Sequence, residues 1–170
     1  MKKKIFKLLS VTAFPIVALS AGCSSKKSSE EKYLDELIKI SETTVNKLRP
    51  FTNDENSFKE QNLQSITNLE QEINASKAVI AKKDHTKEEV INSTEKLLVK
   101  VKIAQQYLEI ETLVNNLLTF KNVFKSSKEQ NPEAKEKYDK YIQKIDEAVA
   151  NRDIAELRKL DKEIKELALV

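Results

Sequence analysis

Glycine occurs once in the 170 residues of this chain, at position 22, and proline three times, at positions 15, 50 and 132. Tight hairpin turns draw on glycine for the positive φ of their central residues. From position 23 onward the chain has none, so a meander of strands and turns is excluded. Helices joined by short connections remain, and apolar residues recur at the three- and four-residue spacings of a helix face. The expectation is an all-α fold, an antiparallel helical bundle of about five helices.

The first helix is expected over about 30–49, with Leu34, Ile38, Ser41, Val45 and Leu48 on one stripe, and Pro50 ends it. Ser57-Phe58-Lys59-Glu60 reads as a capping box. It opens a second helix to about residue 82, with Ile66, Leu69, Ile73, Ser76 and Ile80 inward. Lys83-Asp84-His85 is a short loop, and Thr86 to Glu89 is a second capping box.

Nothing between Val90 and Lys125 breaks a helix, which predicts a central element over about 87–125, ~58 Å long at 1.5 Å per residue. Its apolar pattern changes midway. Val90, Thr94, Leu97, Val101, Ala104 and Leu108 form one stripe, which turns polar at Glu111. Ile103, Tyr107, Ile110, Val114, Leu117 and Phe124 form a second stripe, rotated by ~100°. A loop is expected at 126–131, then a helix carrying Ala134, Tyr138, Tyr141, Ile145 and Val149. A turn at 150–153 leads to a last helix with Ile154, Leu157, Leu160, Ile164 and Leu167. Glu133 with Lys137, Glu136 with Lys140 and Asp161 with Lys165 are spaced as ion pairs on solvent faces. Two three-helix bundles sharing one long spine satisfy this pattern; a break at 109–112 is the competing arrangement.

The N-terminus has its own organisation. Lys2, Lys3, Lys4 and Lys7 precede about 12 mostly apolar residues, the length of a secretory h-region and short of the ~20 that span a bilayer. Leu19, Ser20, Ala21 and Gly22 then lead into Cys23, the only cysteine. This stretch resembles the lipobox of bacterial lipoproteins, although the family more often has its leucine where this chain has Ser20. The resemblance covers residues 1–23. It implies diacylglyceryl attachment to Cys23 and cleavage before it, with Leu19, Ser20, Ala21 and Gly22 recognised by the signal peptidase. Two acyl chains hold a protein stably on a membrane. The domain organisation expected is a signal peptide at 1–22, a lipidated cysteine and polar tether at 23–31, and a helical domain at 32–170. The implied location is the outer face of the cytoplasmic membrane, as on the surface of a Gram-positive-type bacterium.

Charge and composition exclude several function classes. The chain has 30 Lys+Arg against 27 Asp+Glu, and the four lysines of the signal would leave 26 against 27. No long-range pull toward nucleic acid is expected from so balanced a domain. His85 is the only histidine, so no multi-histidine metal site is expected, and it reads as a solvated loop residue. Nucleophilic catalysis needs a serine or cysteine beside a base, and Cys23 is committed to lipid on this reading. Glu109 and Glu111 read as solvated helix charges, because residues two apart do not face each other on a helix. Neither a catalytic residue nor a cofactor is expected.

The strongest apolar cluster is Leu117, Phe120 and Phe124, with Tyr138 and Tyr141 able to face it from the next helix. At helical spacing it reads first as core; were Phe120 exposed, it becomes a candidate patch for a partner. The mature region resembles the small helical lipoproteins of low-GC Gram-positive bacteria. The function expected is therefore a membrane-tethered, non-catalytic interaction module for a protein or cell-envelope component. An exclusion or immunity lipoprotein that blocks a phage or toxin, and a structural envelope spacer, are the alternatives.

Overall fold

The computed structural model describes residues 27–168. It contains α1 (Ser29–Leu48), α2 (Lys59–Ala81), α3 (Lys87–Gln130), α4 (Lys135–Asn151) and α5 (Ile154–Ala168), with 3-10 turns at Arg49–Thr52 and Pro132–Ala134. No strand occurs among the described residues. Helix α3 is 44 residues long, about 66 Å at 1.5 Å per residue, and packs against all four other helices. It runs unbroken through 109–112, so the two-bundle arrangement holds and the interrupted one does not.

The two cores lie at opposite ends of this spine. Leu34, Leu37, Ile38, Val45 and Leu48 of α1 meet Ile66, Leu69 and Ile73 of α2 on Val90, Leu97, Val101 and Ala104 of α3. Farther along, Ile145 and Ala148 of α4 and Leu157, Leu160 and Ile164 of α5 meet Leu113, Val114 and Leu117 of α3. The change of stripe read in the sequence is this change of partner. Two members of the second stripe depart from it. Tyr107 packs with the first core, edge-on to Phe58 at 6.4 Å between centroids. Ile103 is exposed, because the α4–α5 turn lies beside Glu111 and neither helix extends back over it.

Helix starts show which local signals act. Thr86 Oγ1 accepts the Glu89 N–H at 3.2 Å while Glu89 Oε2 accepts the Thr86 N–H at 2.7 Å, the reciprocal box expected. Ser28 and Glu31 form the same box at the start of α1, so residues 29–31 of the expected tether are helical. The box expected at 57–60 does not form. The Ser57 hydroxyl donates backward, to the carbonyls of Asp54 and Phe51, and the cap moves one residue on to Phe58, whose side chain has no acceptor to offer.

Helix α3 also outruns its expected end, because residues 126–130 stay helical and only Asn131 separates α3 from the turn at Pro132. No strong breaker precedes Pro132, and Lys128 is held by Asp139 of α4 at 2.6 Å. Asp161 pairs with Lys165 at 2.7 Å, whereas neither Glu133 with Lys137 nor Glu136 with Lys140 closes to an ion pair. Between α4 and α5, Arg152 takes the left-handed conformation (φ 49°). Helices commonly end on glycine in that position; here arginine fills it. Asp153 Oδ1 then accepts the N–H groups of Ala155 and Glu156 at 2.9 and 3.0 Å, capping α5.

Candidate functional site

The anchor residues Leu19, Ser20, Ala21, Gly22 and Cys23 lie outside the described residues. Within them, three places carry unusual chemistry: the aromatic cluster, the junction of the two bundles, and the loop between α2 and α3.

The aromatic cluster forms where α4 crosses the distal part of α3. Phe124 stacks on Tyr138 with centroids 5.5 Å apart and planes at 25°, and lies 5.7 Å from Tyr141. Phe120, Phe124 and Tyr141 pack against the second core while keeping part of their surface in water. Leu117 is 0 % exposed and therefore belongs to the core, not to a surface patch. The cluster has a charged edge: the Tyr141 hydroxyl donates to Glu163 Oε1 at 3.1 Å, Lys144 Nζ donates to the same oxygen at 2.8 Å, and Lys144 sits 5.0 Å from the Tyr141 ring centre. Burial and the Glu163 carboxylate push the Tyr141 hydroxyl pKa up, and the bond from Lys144 holds Glu163 below the usual carboxylate range.

The junction centres on Glu111, which is 1 % exposed in mid-spine. Its Oε1 accepts the Phe58 N–H at 2.7 Å and the Asn62 side-chain amide at 2.8 Å. Arg152 donates to its Oε2 at 3.2 Å from across the bundle boundary. The same guanidinium lies 4.2 Å from the centre of the Phe58 ring and donates to the Asn56 carbonyl. A capping-box carboxylate ordinarily reaches back to its own helix's cap N–H; here α3 supplies that carboxylate to α2. Glu109, two residues earlier, pairs with Arg158 on the surface. Sequence reasoning placed both glutamates in solvent and so missed the junction. The only local sign was that Glu111 falls seven residues after Ala104, on the same buried stripe.

The α2–α3 loop also departs from expectation. His85 lies in the loop as expected but is only partly solvated: its side chain is 18 % exposed, with Nε2 3.1 Å from Glu31 Oε1 and Nδ1 2.7 Å from the Lys82 carbonyl. Beside it Lys87 meets Glu30 at 2.5 Å, and that hydrogen bond lowers the Glu30 pKa to about 2.

Among the described residues, no three His, Cys, Asp or Glu side chains come together as a metal site would need, and no helix is long and apolar enough to cross a membrane. An open groove of about 280 Å³ runs between α1 and α3, lined by Ser29, Glu30, Tyr33, Ile91, Thr94 and Glu95. It falls below the ~300–1,000 Å³ of ordinary ligand pockets. No known protein family, curated protein or solved structure matches this chain.

Proposed function

We propose that the chain is a lipid-anchored, non-catalytic interaction module held on the outer face of the cytoplasmic membrane. The observation that carries this reading is Leu19-Ser20-Ala21-Gly22-Cys23, a lipobox-like stretch placed after a short apolar run and before a polar tether. The acylated Cys23 binds membrane lipid, and the bundle is left to engage a protein or cell-envelope component. Phe120, Phe124, Tyr138 and Tyr141 form the face that best suits such a partner, being half-buried aromatics with the Lys144–Glu163 pair at their rim. Aromatic groups with one apolar and one wet side are enriched at interfaces.

Growth with radiolabelled palmitate followed by fractionation tests the anchor. Label should enter the wild-type protein and be lost in Cys23→Ala, which should shift to the medium or accumulate uncleaved. A Cys23→Ala chain that remains on the membrane at its normal processed size defeats the reading. Cross-linking on intact cells, with Phe120→Ser and Phe124→Ser as controls, tests the face. A partner captured by wild type and lost in the controls supports it, whereas the same adducts in all three place the contact elsewhere. Sensitivity to phage or bacteriocin gained on deletion favours the exclusion or immunity alternative.

A further inference from the structure

We propose that His85 is a proton-operated clasp that fixes the first turn of α1 to the α2–α3 loop. The argument is a count of donors. The two ring nitrogens face the Lys82 carbonyl oxygen at 2.7 Å and Glu31 Oε1 at 3.1 Å, and both of those atoms only accept. A neutral imidazole carries one N–H, whereas the imidazolium carries two. The arrangement is therefore complete only with the ring protonated. Loss of that proton sets a nitrogen lone pair against one of the two oxygens.

The surrounding charges leave this pairing intact. From α1, Glu31 faces the ring directly, while its neighbour Glu30 is engaged by Lys87 of α3 at 2.5 Å. From the first turn of α3, Glu89 adds a favourable negative charge, and is itself bonded to Lys82 at 3.0 Å and to the Thr86 N–H at 2.7 Å. Lys83 and Asp84, the chain neighbours of His85, are exposed. The Lys82 carbonyl raises the His85 pKa most, burial opposes it, and the Glu31 carboxylate adds a further rise. The Ser28 N–H holds Glu31 below the usual carboxylate range. A raised histidine contributes stability that is fully present below the unfolded value of 6.5 and is lost as pH rises through the docked value. The clasp is thus closed in mild acid and opens on the alkaline side.

Opening it reaches the start of the fold. The second oxygen of Glu31 accepts the Ser28 N–H at 2.6 Å, so one carboxylate holds both the clasp and the beginning of α1. On the reading of Cys23 as the lipidated residue, Ser28 lies no more than ~18 Å of extended chain from the membrane. An open clasp frees the first turn and lengthens the leash between anchor and bundle.

The test is an NMR titration of the full-length chain in detergent micelles, where the single histidine gives a single ring signal. His85 should titrate above its ordinary value. Amide protection at Ser28, Glu31 and Lys32, whose N–H groups are bonded within this turn, should fall through the same midpoint once corrected for intrinsic exchange. The fall is about tenfold for each unit by which the docked pKa exceeds the free one. Glu31→Gln keeps an acceptor for Ser28 and adds an amide donor for a neutral ring nitrogen, so protection should there rise with pH instead of falling. His85→Ala should remove the dependence. An ordinary His85 titration, or wild-type protection that does not change across it, overturns the clasp. Either result stands apart from the fate of Cys23→Ala, which tests the anchor alone.

Discussion

Glu111→Ala offers the sharpest perturbation of this fold. The substitution removes the acceptor shared by the Phe58 N–H, the Asn62 amide and the Arg152 guanidinium. Breaking a buried ion pair from one side costs about 3–5 kcal/mol, because the remaining charge stays desolvated. Arg152 keeps the Asn56 carbonyl and the Phe58 ring, and its side chain is 12 % exposed, so it can turn partly toward water. The expected loss is therefore near the lower end, about 3 kcal/mol. Glu109→Ala is the internal control. Its pair with Arg158 is on the surface, with side chains 39 % and 50 % exposed, and such pairs contribute ~1 kcal/mol or less.

Urea unfolding followed by far-ultraviolet circular dichroism compares the two, provided the slope with denaturant is unchanged. Equal losses for the two substitutions, or a loss below about 1 kcal/mol for Glu111→Ala, would refute the assignment of Glu111 as the junction. Glu111→Leu combined with Arg152→Met should recover only the part of the loss that comes from the stranded charge, because the Phe58 N–H and the Asn62 amide still lack their acceptor.

Other expectations are narrower. Thr86→Ala removes an N-cap with a closed capping box and should cost about 1 kcal/mol in the same unfolding assay. Ser65→Ala deletes a buried hydroxyl without a hydrogen-bond partner, so it should raise stability by about 1 kcal/mol, where a loss would show that the hydroxyl is satisfied. Glu30, lowered to about 2 from its ordinary 4.5 by Lys87, contributes stability that is present above 4.5 and lost as pH falls through about 2. Carboxyl NMR should place its titration there in wild type and nearer the ordinary value in Lys87→Gln.

Much of the fold was legible because its information is local. The stripes of α1, α2 and α5 needed only the order of apolar residues, and Leu34, Ile66 and Leu157 lie where those stripes put them. The Thr86 box was legible for the same reason, since both partners lie within four residues. The box at Ser57 shares that spelling and fails, because a hydroxyl that can also donate finds the carbonyls of the preceding turn. His85 and Glu111 were misread for a different reason. Their partners lie 54 and 41 positions away in sequence, at Glu31 and Arg152. Nothing near either residue announces a distant counter-charge.

The position of Glu111 follows from the demand placed on α3. A single helix serving two cores must change its buried face, and the change leaves one place where the first core is ending and the second has barely begun. An aliphatic side chain there would pack against α2 but leave the Phe58 N–H and the Asn62 amide without an acceptor inside the protein. A short polar residue would not reach both bundles. A glutamate satisfies α2 with one oxygen and presents the other to Arg152. Arg152 in turn is the residue that ends α4 in a left-handed conformation costing about 1–3 kcal/mol for a side chain with a Cβ. Glycine would remove that cost and the guanidinium together. The contact across the junction therefore comes together with the strain of the turn that delivers it.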